Sequence, residues 1–432
     1  MPRFDFRQCR VSGASPRALD LYEAAIAEFL RHRGEPLRLA REAAREAPGF
    51  VAARQLEAAL LLCSRERSDF EAAGRLVPAI AALAQNDRER GHSAALAAAA
   101  NGDYARAVEC YDAVLAAEPR DAVALAAAQT FDHLLGRLEP MRERPARVAA
   151  AWGDIPGRHA VLSMLAFGLQ ECGEYQRAEE AARRALELEP LDVRAHHAVV
   201  HVLEMQGRFE EGVRWMGNRA RHWADAGAAA THNWWHLALY QIELGRADAA
   251  LRLYDRHIGG GGALSERIDA SSLLWRLELA GVDAGARWSE LAGAWAPRAE
   301  DAHCAFNDLH AMMAFVGARR WDDALRLIAA QARRAEGPAG ANRDMTRLVG
   351  LPACRALLAY GRGEPAAAER LLRALPPVAH RLGGSHAQRD VLFLTRAAAA
   401  APQRRARSAS PRRAPTPARG AWRAASPALA AS

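Results

Sequence analysis

The sequence predicts an all-α protein built from stacked helix pairs. Alanine and leucine dominate the composition, and no persistent alternation of β-branched residues indicates strands. Glycines recur with spacings of 34, 37, 34 and 38 residues, and most are followed by a similar order of aromatic, small and proline residues. These glycines are Gly102, Gly136, Gly173, Gly207 and Gly245. A regular period of this length is typical of helical repeat proteins, in which stacking buries the apolar face that a single unit leaves open.

The repeat unit is clearest in two copies. They read Gly102-Asp103-Tyr104, Ala107, Tyr111, Pro119 and Gly173-Glu174-Tyr175, Ala178, Ala182, Ala185, Pro190. A period near 34 with this order is typical of the tetratricopeptide unit, where small residues let two antiparallel helices approach and proline ends the second helix. The prediction is therefore a tetratricopeptide-like α-solenoid, with antiparallel helix pairs stacked into a right-handed superhelix.

The strength of the repeat pattern divides the chain into four segments. Residues 1–90 carry a weak pattern and are predicted to form an N-terminal helical capping region, and residues 91–258 carry the regular repeats. The run Gly259–Gly262 indicates a loop, since each glycine inside a helix costs about 1 kcal/mol relative to alanine. Divergent helical repeats are expected over 259–400, and the arginine-, proline- and alanine-rich residues 401–432 are predicted to be a disordered tail.

Composition excludes several kinds of site. All 58 basic residues are arginine, so lysine Schiff bases, pyridoxal lysines and P-loop lysines are excluded. The net charge of +7 comes from seven arginines in the tail, because the preceding 400 residues carry 51 basic and 51 acidic groups. We therefore expect no nucleic-acid binding through the folded body. The tail has three open interpretations: a solvated segment, a shifted reading frame, or a contact to nucleic acid or an anionic membrane.

The cysteines and the apolar segments indicate a cytoplasmic protein. Six cysteines occur without a CxxC pair, as expected for reduced thiols. The N-terminus has no apolar signal segment, and no run of about 18 apolar residues could span a membrane. We therefore expect no membrane association.

Histidines are concentrated on the predicted inner face. Nine of the 15 histidines lie within residues 196–310. When each unit is aligned on its helix-ending glycine, the register places a polar and aromatic set on the concave side of three units: His197, His201, Glu204, His232, Trp235, His236, Asn307 and Asp308, with His310 nearby. The spacings i, i+4 and i+7 put His197, His201 and Glu204 on one helical stripe.

Three interpretations of this set are open. Imidazoles and a carboxylate suit a zinc, iron or nickel ion. Alternatively, His201 or His236 acts as a base that Glu204 or Asp308 orients. The third interpretation is structural, with histidines that hydrogen-bond between helices and tryptophans that pack. The His-x-x-x-His pairs lack the glutamate that follows the first histidine in metalloproteases, so we assign neither a metal nor a cofactor from the sequence.

A second polar segment opens the last predicted helix. Gly383, Gly384 and Ser385 precede His386, Gln388, Arg389 and Asp390. A Gly-Gly-Ser turn at a helix N-terminus either binds an anion with help from Arg389 or is a capped helix start with Ser385 as N-cap.

Six blocks of the chain, in order and spacing, resemble the tetratricopeptide repeat protein 38 family, and the resemblance covers roughly residues 15–395. The blocks are 197–216, 232–258, 273–288, 306–315, 349–352 and 383–390. The resemblance implies an α-solenoid and no established reaction, hence no catalytic residues. The family's motif blocks correspond here to His197, His201, Glu204, His232, Asn233, His236, Asn307, Asp308, Gln388, Arg389 and Asp390. After Asp390 the chain departs from the family, whose members continue with another helical pair.

Two functional hypotheses follow. The first is an interaction scaffold, and not an enzyme, that binds a peptide or protein partner in the concave groove through side chains fixed on rigid helices. The second is an enzyme or a protein that binds a small molecule or a metal with the same polar residues. An open groove would favour the scaffold, whereas a closed pocket around positions 197, 236 and 308 would favour the second hypothesis.

Overall fold

The computed structural model describes residues 3–260 and 262–401, and within these ranges it contains 22 α-helices and one two-stranded hairpin. The helices are α1 Pro16–Arg31, α2 Pro36–Glu46, α3 Val51–Cys63, α4 Arg67–Leu83, α5 Asp87–Ala100, α6 Tyr104–Ala117, α7 Ala122–Leu135, α8 Leu138–Val148, α9 Arg158–Glu171, α10 Tyr175–Leu188, α11 Val193–Met205, α12 Phe209–Trp223, α13 Ala228–Glu243, α14 Ala247–Leu253, α15 Leu264–Leu279, α16 Arg287–Trp295, α17 Ala305–Gly317, α18 Trp321–Glu336, α19 Ala341–Met345, α20 Leu351–Gly361, α21 Pro365–Arg373 and α22 His386–Ala400. The prediction of an all-α fold is confirmed. Among the described helices, none has both the length and the apolar character needed to cross a bilayer.

The glycine, proline and alanine residues of the repeat pattern have the structural roles that the pattern predicts. Gly173 has a φ of +82° in the turn between α9 and α10, a left-handed conformation that favours glycine. Pro190 follows the end of α10 by two residues. Ala178 and Ala182 of α10 are completely buried, and α10 packs against α9 and α11. Small side chains therefore allow the close helix contacts that the repeat pattern predicts.

The first residues form an element that the sequence did not predict. Strand β1, Arg3–Phe4, pairs with the antiparallel strand β2, Arg10–Val11. Between them, the Arg7 guanidinium lies 3.1 Å from Asp5 and 2.8 Å from Glu23 of α1, and all three side chains are buried. This ion-paired group fastens the hairpin to the first helix.

Of the predicted segment boundaries, residue 90 lies inside a helix and residue 258 lies at the end of one. Residue 90 lies inside α5, so the end of the predicted capping region does not coincide with a helix end. Residue 258 ends the π-helical turn Tyr254–Ile258, after which the chain turns and re-enters a helix at Leu264. Helix α22 continues to Ala400, and the predicted tail lies outside the described residues beyond Ala401.

The last helix lies inside the stack rather than at its end. Helix α22 contacts α11, α15, α20 and α21. Trp275 Nε1 of α15 donates a hydrogen bond to Thr395 Oγ1 at 2.9 Å, and the Arg276 guanidinium lies 2.5 Å from the Asp390 carboxylate. The concave side is thus occupied by the chain's own C-terminal helix.

The N-terminal helices also contact distant parts of the chain. Arg31 pairs with Glu189 at 2.6 Å, and Arg298 pairs with Glu66 at 2.9 Å. In a linear repeat array each unit contacts only its neighbours. These contacts, made across more than 150 residues of sequence, close the stack around an interior space.

Candidate functional site

A cavity of about 700 Å³ lies on the inner side of the helix stack. Residues of α1, α3, α7, α9, α11, α13, α15 and α22 form its wall, so the inner helices of successive pairs line it together with the first and last helices, and it is partly open to solvent. Phe29, Met164 and Phe167 contribute apolar surface. The polar wall includes His32, His133, Arg194, His197, His232 and Asn233.

Four histidines meet at this wall and are named here the histidine cluster: His197 and His201 of α11, and His232 and His236 of α13. One ring nitrogen of each lies within 4.8 Å of the others. His197 Nε2 is 2.9 Å from His201 Nε2 and 3.2 Å from His236 Nε2. The i, i+4 spacing on two neighbouring helices therefore brings the side chains together, as the sequence register predicts.

Local sequence explains the position of α11. Pro190 precedes the helix, and the Asp192 carboxylate caps it by accepting a hydrogen bond from Ala195 N at 3.0 Å. The other oxygen of Asp192 lies 2.7 Å from His159 Nδ1 of α9. The Asp192 carboxylate thus connects α9 to the N-terminus of α11. It thereby sets the position of α11, and of His197 on it, relative to α9.

Two carboxylates orient the histidines of α13. Glu204 Oε2 accepts a hydrogen bond from His236 Nδ1 at 2.7 Å, and Asp269 Oδ1 of α15 accepts one from His232 Nδ1 at 2.8 Å. An ionised carboxylate can only accept, so the hydrogen of each ring is on Nδ1. In the neutral form of these rings, the Nε2 atoms of His232 and His236 carry lone pairs, the form in which imidazole binds metals or accepts protons.

Burial keeps the histidines around the cavity neutral. Desolvation, followed by the neighbouring histidines, holds the pKa values of His197 and His201 well below the usual 6.5. Desolvation also lowers the pKa of His32 to about 3 and that of His133 to about 4. The imidazoles of His32, His133, His197 and His201 are therefore uncharged at neutral pH.

Aromatic rings hold the cluster in place. The Phe167 ring stacks on His197 with a centroid distance of 5.7 Å, and Trp235 stacks on His232 at 5.2 Å. The Arg276 guanidinium lies 5.3 Å from the centre of the Trp235 ring and also pairs with Asp390 of α22. Trp235 and Asp390, both predicted as site residues, support the cluster from behind rather than facing the cavity.

Two polar side chains on the cavity wall lack partners among the described residues. No carboxylate pairs with Arg194, whose buried Nε has no hydrogen-bond acceptor and whose guanidinium lies 5.8 Å from the centre of the Phe29 ring. Asn233 is 1% exposed, and neither its Oδ1 nor its Nδ2 has a hydrogen-bond partner. These groups are available to a molecule in the cavity.

The sequence interpretation missed three cavity residues, and two of them had a signal. Arg194 precedes His197 by three residues and so lies on the same helical stripe. His133 precedes Gly136 by three residues, as Glu204 precedes Gly207, so the same register places it on the inner face. His32 caps the end of α1 in the segment without a repeat register, and no sequence pattern indicates its role.

The start of α22 is a capped helix N-terminus. Ser385 Oγ accepts a hydrogen bond from Gln388 N at 3.3 Å, and Gln388 Oε1 accepts one from Ser385 N at 3.0 Å. Arg389 is 2% exposed and lies 3.5 Å from the Glu171 carboxylate, which also lies 2.9 Å from His386 Nδ1. The prediction of Ser385 as N-cap is confirmed, and Arg389 is already paired. Only Gln388, of the predicted residues in this segment, lines the cavity together with Ser385.

The residues predicted on α17 do not join the histidine cluster. Asn307 Nδ2 donates to Arg65 O at 3.0 Å, Asp308 Oδ2 accepts from Gln331 Nε2 at 3.1 Å, and His310 Nδ1 donates to Phe306 O at 2.7 Å. Within the described residues, none of the three lines the cavity or contacts the cluster. The hypothesis that Asp308 orients a cluster histidine is wrong, and Glu204 has that role.

No protein-family model matches the chain. Among solved structures, it is similar to a chain of the structure of Naa15/Naa10 bound to HypK-THB, with 13% sequence identity and a TM-score of 0.28. The alignment covers 85% of the present chain and 64% of that chain, so the present chain spans less than two thirds of its length. Any functional conclusion therefore rests on the geometry of the site itself.

Proposed function

We propose that the protein binds a small organic anion in the cavity lined by its helices. The observation that supports this most directly is Arg194, a cation on the cavity wall that no described carboxylate neutralises. Its Nε is buried without a hydrogen-bond acceptor, and a buried donor left without a partner costs about 1–3 kcal/mol. A carboxylate or phosphate of a bound molecule would recover that energy through two parallel hydrogen bonds to the guanidinium.

The rest of the wall suits a molecule with polar groups beside its anionic one. The Asn233 amide offers one acceptor and one donor that have no protein partner. His197 and His232 add imidazole groups, and Phe29 and Phe167 add apolar surface. A volume of about 700 Å³ is in the usual range for small-molecule sites, which combine apolar walls with few fixed polar groups.

The position of α22 favours this function over a peptide in the concave groove. The fold presents side chains on rigid stacked helices, as interaction scaffolds do. However, α22 contacts α11 and α15, so the chain's own last helix already covers part of the inner face. A protein partner elsewhere on the surface, a cytoplasmic location and membership in the tetratricopeptide repeat protein 38 family remain predictions.

Calorimetric titration of the full-length protein with dicarboxylates and with phosphate monoesters tests the proposal. We expect at least one anion to bind and to raise the melting temperature by mass action. The Arg194→Met variant should lose this binding and, without ligand, melt at a higher temperature than the wild type, because it lacks the buried Nε–H group that has no acceptor. Arg177→Met is the matched control, since Arg177 is an exposed arginine on α10.

Two results would contradict the proposal. The first is equal binding of the anion by wild type and Arg194→Met. The second is absence of binding by any anion of the panel, together with a peptide that binds the wild type and is blocked when α22 is crosslinked to α15. That second result would restore the scaffold hypothesis.

A further inference from the structure

We propose that the histidine cluster binds one divalent transition-metal ion through four imidazole nitrogens. The proposal rests on the arrangement of the side chains and does not depend on the organic anion proposed above. It goes beyond the sequence interpretation, which assigned no metal.

The nitrogen positions fit a common centre. Zinc–nitrogen bonds of about 2.0–2.1 Å in a tetrahedral site place ligand nitrogens about 3.4 Å apart. The His197 Nε2 atom lies 2.9 Å from His201 Nε2 and 3.2 Å from His236 Nε2, and the nitrogen of His232 lies within 4.8 Å of all three. Small rotations of these rings would bring all four nitrogens to bonding distance from one ion.

Hydrogen bonds alone do not explain both contacts of His197 Nε2, one to His201 Nε2 and one to His236 Nε2. His236 carries its hydrogen on Nδ1, where Glu204 accepts it, so His236 Nε2 presents a lone pair to His197 Nε2. A single hydrogen on His197 Nε2 cannot be directed at both His236 and His201. If the hydrogen is instead on His201 Nε2, two lone pairs face each other at 3.2 Å. A cation between the nitrogens removes this conflict.

The carboxylates supply the outer contacts that metal-binding histidines usually make. In most such sites the second ring nitrogen donates to a carboxylate, carbonyl or water, which fixes the ring and increases its basicity. Glu204 does this for His236 and Asp269 for His232. The two carboxylates come from different helices, so both histidines of α13 are oriented by the neighbouring units.

The ligand set limits the type of ion. Four neutral imidazoles, with no thiolate in the group, suit zinc, copper, nickel and iron and are unsuited to magnesium or calcium. Because His197 and His232 line the cavity, the ion would lie at the cavity wall, where a bound anion could reach it.

Metal binding is tested on the full-length protein after treatment with EDTA. We expect dialysis against Zn²⁺, followed by plasma mass spectrometry, to give close to one zinc per chain. Co²⁺ should bind in its place with the visible absorption of a tetrahedral nitrogen site. His201→Ala and His236→Ala should lose the ion. His222→Ala should keep it, because His222 lies on α12 outside the cluster.

A separate variant distinguishes loss of the site from loss of the fold. His201 and His236 are 0% exposed, so their removal also disturbs packing, but the His232 side chain is 22% exposed. His232→Ala should keep the circular dichroism of the wild type and bind Zn²⁺ at least about tenfold more weakly. Arg194→Met should bind zinc as the wild type does, which separates this test from the one for the organic anion.

Wild-type protein that takes up no more zinc than a variant without the cluster would overturn the proposal. So would His232→Ala and His236→Ala variants that bind zinc with wild-type affinity.

Discussion

Glu204 of α11 and His236 of α13 form a completely buried pair, in which the carboxylate oxygen accepts a hydrogen bond from Nδ1 at 2.7 Å. The pair joins two successive inner helices. It fixes the orientation of the imidazole and leaves Nε2 facing the rest of the histidine cluster. A residue of one repeat thus determines what a residue of the next repeat can bind.

Glu204→Gln should weaken metal binding without unfolding the protein. The amide oxygen still accepts from His236 Nδ1, but the negative charge that raises the basicity of the ring is lost. Replacing such outer contacts lowers metal affinity by about 10–100-fold, and titration with Zn²⁺ in a competing chelator measures the change. The exposed Glu210, in the first turn of α12, provides the control Glu210→Gln. Equal zinc affinity of the two variants would contradict a supporting role for Glu204.

The inner-face residues could be predicted because repeat register is a local property. A side chain's direction on a helix follows from its position in the turn, so His197, His201 and Glu204 share a stripe wherever the helix lies. The neighbouring unit carries the same i, i+4 spacing of histidines on its own inner face, and in the structure His232 and His236 lie beside His197 and His201. Both steps use only the period and the helical geometry.

The enclosure of the site could not be predicted, because it depends on the rotation accumulated from unit to unit. Glycine spacing varies between 34 and 38 residues, and the sequence does not state how each insertion changes the rotation. The placement of Asp308 failed for this reason, since Asn307 and Asp308 of α17 face the turn between α3 and α4 and the helix α18. The docking of α22 on α15 depends on the same accumulated rotation.

Glu171→Gln should loosen the docking of α22. The Glu171 carboxylate is buried and contacts both His386 and Arg389. Burial raises its pKa, but the interactions with His386 and Arg389 outweigh that effect, so the pKa lies well below 4.5. Its stabilisation is therefore present above pH 4.5 and is lost as the pH falls below that value. The variant leaves Arg389 as a buried cation without its partner, a change that typically costs about 3 kcal/mol.

Hydrogen exchange at neutral pH measures the loosening of α22. We expect faster exchange over residues 386–400 in Glu171→Gln, with exchange in the N-terminal helices unchanged. Glu180→Gln, an exposed glutamate on α10, is the control. If the amides of α22 exchange at the same rate in Glu171→Gln and in the wild type, the ion pair does not hold the helix in the concave side.

Asp308 should make the protein less stable as the pH rises from about 4 to about 7. The side chain is 5% exposed, and its nearest polar partner is Gln331 Nε2 at 3.1 Å. Desolvation raises the pKa of Asp308 from 3.8 to about 7, although the Gln331 hydrogen bond acts in the opposite direction. Between these values the folded state holds a proton that the unfolded state has released. The free energy of unfolding therefore falls as the pH rises across this window, and the loss is complete above pH 7.

Asp308→Asn should remove this pH dependence. The amide keeps an oxygen that accepts from Gln331, but it carries no charge to desolvate at high pH. We expect similar free energies of unfolding for variant and wild type near pH 4, and a more stable variant at pH 8 by at most about 4 kcal/mol. Urea unfolding at both pH values measures the difference, with the exposed Asp322→Asn as control. A stability difference that is the same at both pH values would show that Asp308 has the same pKa in the folded and the unfolded protein, so that burial does not raise it.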